Sequence, residues 1–152
     1  MDVRTILWPT DLSPGSLKAA GHVLSLAEKY ESRIVVMYVS LNLCAYFPAY
    51  GNYPSPDLLQ EFQGWEMEQA KVKLEQLCGS ALRGCPNLKI RLVAGHPAAE
   101  ILKAIEAEKA DLVVMTSRGQ GLEANPEVDT GLGSVAREVV ERSKAPVHIV
   151  RP

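Results

Sequence analysis

The chain predicts an α/β fold, a doubly wound sheet of five parallel strands with helices on both faces. Three observations predict it. Short apolar runs rich in β-branched residues alternate with longer stretches whose apolar residues recur every three or four positions. The runs Ile34–Val39 and Leu112–Met115 are continuously apolar, as strands are when helices cover both sheet faces. Strand then helix repeats through the chain to a last strand, the order that parallel crossovers produce.

Each element has its own signal. Thr5–Trp8 is an apolar run that stops at Pro9. Ser13-Pro14 supplies an N-cap and a proline at the first helical position, where a missing N–H costs nothing. Leu17, Ala20, Leu24 and Ala27 give that helix one apolar face. Ile34–Val39 is the second strand. A long aromatic connection runs from Ser40 to about Ser55, and helix signals resume at Pro56-Asp57 with a core stripe of Met67, Ala70, Leu74, Leu77 and Ala81. Leu88–Val93 alternates apolar with polar, the pattern of an edge or near-edge strand. His96-Pro97 opens a helix that turns Ile101, Leu102 and Ile105 inward, and Asp111–Met115 is a buried strand. A glycine-rich loop from Ser117 to Gly133 feeds a helix near Ser134, and Pro146–Val150 is the terminal strand.

Length and composition set the frame. At 152 residues the chain fits one domain, residues 1–152, large enough to bury its own core without a metal or disulfide staple. Sixteen Lys+Arg against eighteen Asp+Glu give a net charge of −2, which argues against a broad nucleic-acid surface. Cys44, Cys78 and Cys85 make no C-x-x-C pair, so neither a zinc site nor a secreted disulfide framework is expected. The N-terminus has no signal-peptide core, and no apolar run approaches the ~20 residues that span a bilayer. A cytoplasmic protein without a membrane partner is the expectation.

In such a sheet a ligand binds beyond the carboxyl ends of the strands, where the strand order reverses. The segments that reach that crevice are Pro9-Thr10-Asp11, Val39-Ser40 and Thr116–Ser134. Gly119, Gly121, Gly131 and Gly133 lie in the last of these, just before the helix at Ser134. Glycines let backbone amides approach a phosphate, and a helix N-terminus adds unpaired N–H groups. The same glycines equally suit a plain surface loop with Ser134 as a cap. Neither a Walker loop nor a dinucleotide fingerprint after the first strand is present.

Four segments carry a family resemblance: Ile6–Ser13, Gly95–Ile101, Asp111–Gly119, and Gly133–Ala136 through Ala145–Val147. In this order they resemble the universal stress protein family, over nearly the whole chain apart from 41–55 and 120–132. The resemblance implies a Rossmann-like domain of the stress response, and two kinds of member: those that bind ATP and those that do not. Members that bind carry G-x-x-G and a later G-[S/T] after the fourth strand. Gly119, Gly133 and Ser134 match that motif, while Thr116 stands at its first glycine. Thirteen residues separate Gly119 from Gly133, four more than in the motif.

The resemblance implies a site for ATP or another adenine nucleotide, with or without Mg²⁺, built from Pro9, Thr10, Asp11, Val39, Met115, Thr116, Ser117, Arg118, Gly119, Gly133, Ser134 and Val135. Asp11 falls where members contact the adenosine moiety, or else it caps local backbone. Val39 matches the position whose backbone meets the adenine edge. Thr116 is disfavoured if its φ is positive and tolerable if negative, where its hydroxyl can make a contact of its own. Glu123, Glu127 and Asp129 sit in the long loop, and no Lys or Arg lies between Arg118 and Arg137. A carboxylate about 4 Å from a phosphate oxygen costs about 4 kcal/mol at an effective dielectric near 20. Those acids therefore face solvent, share a divalent cation with the phosphate, or mark a site that takes no triphosphate.

Other features complete the reading. No histidine has a serine or cysteine nucleophile beside it, so no catalytic residue is assigned; slow ATP hydrolysis through an acid-held metal is the remaining enzymatic reading. Tyr46, Phe47, Tyr50 and Tyr53 crowd the connection, as a lid, a partner contact or local packing. Val147–Val150 is expected at a sheet edge, and the resemblance implies a homodimer through it. The alternative to a nucleotide-binding regulator is a nucleotide-free dimeric interaction module with a degenerate site.

Overall fold

The computed structural model describes residues 1–40, 55–118 and 131–152. They form β1 (Thr5–Pro9), α1 (Pro14–Leu17), α2 (Ala20–Tyr30), β2 (Arg33–Ser40), α3 (Pro56–Ser80), β3 (Leu88–Ala94), α4 (Pro97–Glu108), β4 (Leu112–Thr116), α5 (Ser134–Arg142) and β5 (Val147–Val150). The five strands make one parallel sheet in the order β3-β2-β1-β4-β5. The doubly wound α/β expectation holds, with β3 and β5 at the edges.

The pleat divides the core in two, because successive strand residues point to opposite faces. Ile6, Trp8, Ile34, Val36 and Val114 pack on one face with Val23 and Ala27 of α2 and Leu74 and Leu77 of α3. Leu7, Val35, Met37, Val113 and Met115 pack on the other with Ala98, Ile101 and Ile105 of α4 and Ala136 and Val139 of α5. Helices on both faces explain the uninterrupted apolar runs.

The helices open where the sequence puts them. Ser13 Oγ accepts from Ser16 N–H at 3.1 Å, Ser55 caps α3, and His96 caps α4. Two details differ. The helix expected from Pro14 onward is two, since Lys18 N–H donates to Gly15 O at 3.2 Å and Ala19 N–H to Ser16 O at 3.1 Å. These three-residue closures tighten the chain between α1 and α2. Ala81 is exposed and Leu82 is buried instead, because α3 ends at Ser80 and its inward face does not continue past it. Cys78 and Cys85 are free thiols, and burial raises the Cys78 pKa. Cys44 lies outside the described residues.

At the end of the sheet opposite the strand carboxyl termini, Glu108 is only 5% exposed. Its carboxylate accepts from Lys89 Nζ at 2.7 Å and Arg91 Nη1 at 2.8 Å, and Arg33 Nη2 lies 3.4 Å away. Hydrogen bonds from Lys89 outweigh the penalty of burial, and with Arg91 they hold the Glu108 carboxyl below its ordinary pKa. The cluster joins α4 to β2 and β3.

Candidate functional site

Strand order reverses between β1 and β4, and a cavity of about 750 Å³ opens there. It lies beyond the carboxyl ends of β1, β2 and β4, as the crossover rule requires. From β1 come Pro9, Thr10 and Asp11. Thr10 N–H donates to Met37 O at 2.8 Å, which ties the end of β1 to β2. The Thr10 hydroxyl meets Ser16 Oγ at 2.8 Å and accepts from Leu12 N–H at 3.1 Å. Asp11 Oδ1 accepts from Ser13 N–H at 3.0 Å and from Ser13 Oγ at 2.6 Å. The local capping role is therefore real, and the residue still lines the cavity. Leu12 turns this corner at φ 63°, a left-handed conformation that a leucine adopts at a cost.

The opposite wall comes from β4 and α5. Met115, Thr116, Ser117 and Arg118 line it, faced by Gly133, Ser134 and Val135. Thr116 is buried, and φ is not positive there. Its branched side chain is therefore accommodated, and its Oγ1 donates to Arg118 O at 2.9 Å. Arg118 Nε donates to Gly131 O at 3.0 Å, a bond across the base of the long loop. Gly133 N–H donates to Ser117 O at 2.8 Å, and a Cβ at Gly133 would stand 3.2 Å from that same oxygen. Glycine is needed here for close approach rather than for φ, which is −61°. As the N-cap, Gly133 gives the first-turn N–H groups of α5 no side-chain acceptor, so that helix end offers them to an anion.

The third wall joins β2 to α3. Val39 lines it, half-buried against the α4 side of the core, together with Tyr38, Phe62 and Glu66. Tyr38 Oη donates to Glu66 Oε1 at 2.6 Å, and Ser40 Oγ donates to Glu66 Oε2. Burial raises the Tyr38 pKa well above its ordinary value, and the bond and charge of Glu66 add to it. The Phe62 and Trp65 rings meet at a tilt of 34°, with centroids 5.9 Å apart.

Eleven of the twelve residues expected from the sequence thus line one cavity; the twelfth, Gly119, lies outside the described residues. So do the acids Glu123, Glu127 and Asp129 and the aromatics Tyr46, Phe47, Tyr50 and Tyr53. Tyr38, Phe62 and Glu66 were not anticipated. Among the described residues no group of three or more His, Cys, Asp or Glu is placed to hold a metal ion.

Comparison with known proteins places the chain. The family model described as the universal stress protein family matches residues 2–151. The chain belongs to the universal stress protein family. It is 34% identical to a universal stress protein of Thermus aquaticus over 97% of this chain and 98% of the relative. The solved structure of MJ0577 from Methanocaldococcus jannaschii superposes with a TM-score of 0.83 at 26% identity, covering 100% of this chain and 98% of that one. Two more distant universal stress proteins share the fold: one solved in complex with cAMP, at 24% identity and TM-score 0.63, and one from Archaeoglobus fulgidus in complex with dAMP, at 17% and 0.63. Among the described residues of this universal stress protein no helix is long and apolar enough to cross a membrane.

Proposed function

We propose that this chain is a regulatory universal stress protein domain that binds an adenine nucleotide (ATP, ADP or AMP), with or without Mg²⁺, in the cavity at the ends of β1, β2 and β4. The observation that carries the reading is the pairing of two unlike ends in one cavity. The α5 N-terminus with Gly133 and Ser134 suits phosphate, while Asp11 and Val39 lie across β1, where a nucleoside would reach. Related universal stress proteins that hold cAMP and dAMP support the ligand class. The protein acts in the cytoplasm as a homodimer paired through β5, Val147–Val150, the last strand of the sheet.

Calorimetric titration with ATP, ADP and AMP, each with and without Mg²⁺, tests this. Saturable binding below millimolar nucleotide is the expected outcome, and none at millimolar overturns the reading. One observation favours the alternative, a nucleotide-free dimeric module: Thr116 and Asp11 both spend oxygen atoms on local backbone. The same titration decides between the two.

A further inference from the structure

Two imidazoles meet between α2 and β5, and neither lines the cavity. The rings of His22 and His148 have centroids 5.4 Å apart, and His148 Nε2 stands 3.4 Å from His22 Nδ1. His22 is exposed and His148 half-buried, so both are open to ions from solvent. A neutral imidazole carries one N–H and one lone pair. At 3.4 Å the two nitrogens stand beyond the ordinary range of an N–H hydrogen bond. That spacing is instead the one two ligands keep on a tetrahedral ion. With metal–nitrogen bonds of about 2.0–2.1 Å, the two nitrogens lie about 3.4 Å apart. A ligand set of imidazoles suits zinc, copper or nickel rather than magnesium or calcium.

Two ligands leave such an ion unfinished, since a structural site supplies four. Among the described residues no third His, Cys, Asp or Glu joins the pair. The sheet indicates where the others come from. Val147 and Ile149 turn their N–H and C=O groups away from β4, and among the described residues no strand pairs with that edge. A second copy related by a two-fold axis normal to the sheet meets the edge antiparallel. The register that uses both outward residues of both copies sets Val147 against Ile149 and centres on His148. The two His148 residues then stand opposite each other on one face, a non-hydrogen-bonded pair with Cα atoms about 4.5 Å apart. His22 shares that face, because His148 lies beside Val114 on the α2 side of the sheet.

We propose that His22 and His148 from two copies of the chain together form a four-imidazole site for a divalent transition metal such as Zn²⁺, on the axis of a β5–β5 dimer. The second pair of ligands rests on the β5 pairing proposed above, and the site needs no nucleotide. Each imidazole binds in its neutral form, through the lone pair that faces its neighbour. Metal and dimer are then linked. An ion that takes ligands from both copies binds the pair more tightly than the single chain, so its concentration sets how firmly the copies hold together.

Titration of the whole, nucleotide-free chain with Zn²⁺, followed by calorimetry and by analytical ultracentrifugation, is the test. The wild type is expected to bind one Zn²⁺ per two chains, and saturating Zn²⁺ to tighten its dimer at least about tenfold. His22→Ala and His148→Ala are each expected to weaken Zn²⁺ binding at least about tenfold and to leave the dimer indifferent to the ion, with circular dichroism unchanged. No saturable Zn²⁺ binding, or binding that both variants keep in full, overturns the inference while leaving the nucleotide reading and the β5 pairing in place. One ion per chain with an unchanged dimer also overturns it, since the pair would then hold its ion with water alone. A wild type that stays monomeric with and without Zn²⁺ overturns the β5 pairing and this inference together, and leaves the nucleotide reading to its own titration.

Discussion

Glu108 shows how a single residue departs from what its position along the chain suggests. It is the last residue of α4, a place where charged side chains ordinarily face water, yet it is buried among Arg33, Lys89 and Arg91. Nothing local in the sequence announces this, because the three cations come from β2 and β3 and meet Glu108 only once the sheet has formed. Glu108→Ala is expected to cost about 3 kcal/mol, the lower end of the range for breaking a buried pair, since the cations keep some access to water. Its folded pKa is lowered, so the folded state binds fewer protons than the unfolded chain in mild acid. The stabilisation is therefore complete above the ordinary carboxylate pKa and is lost as pH falls through the lowered folded value. Urea unfolding across acid pH checks both parts: Glu108→Gln should be less stable near neutrality and should lose less stability on acidification than the wild type.

Elements were legible where a local signal decides them. Ser13 and His96 cap helices because a cap depends on residues three apart, and the apolar runs gave the strands because both sheet faces are covered. The crevice residues from β1, β4 and α5 followed from the same logic, as loops at strand ends. The contribution of α3 did not. Phe62 and Glu66 reach the cavity only through the way that helix lies on β2, and spacing alone reads Phe62 as one more apolar helix residue. The split between α1 and α2 was hidden for a related reason, since the apolar residues keep their spacing through the tighter turn. The start of α5 carries a prediction at this scale. Ser117 O is pinned between Gly133 N–H and the bond of Ser117 N–H to Val150 O at 2.9 Å, so a Cβ at Gly133 forces the helix start to move. Gly133→Ala is expected to cost about 1–3 kcal/mol in stability and to weaken nucleotide binding about tenfold or more. Denaturant unfolding beside calorimetry checks it, and unchanged affinity would separate α5 from the phosphate.

At the scale of the whole molecule, helices cover both faces of the sheet, and among the described residues no strand pairs with the outer edge of β3 or of β5. β3 carries Lys89 and Arg91, charges of the kind that discourage edge-to-edge pairing, whereas β5 is Val-His-Ile-Val. Val113 N–H donates to Pro146 O at 2.9 Å and Ser117 N–H to Val150 O at 2.9 Å, so the even-numbered residues of this stretch turn their backbone toward β4. By the two-residue period, Val147 and Ile149 turn theirs to the open edge. A second copy adding its β5 there would satisfy those groups and extend the sheet across two chains. Ile149→Pro removes an outward N–H without touching the ladder to β4, and proline is tolerated at such an edge position. The expected outcome is a dimeric wild type and a monomeric Ile149→Pro protein by light scattering, with the circular dichroism of the sheet retained. Because the cavity is built from β1, β2 and β4 rather than from β5, the monomer should keep its nucleotide affinity. A dimer that survives the proline places the interface elsewhere, and a monomer that loses affinity means the second copy helps to shape the site.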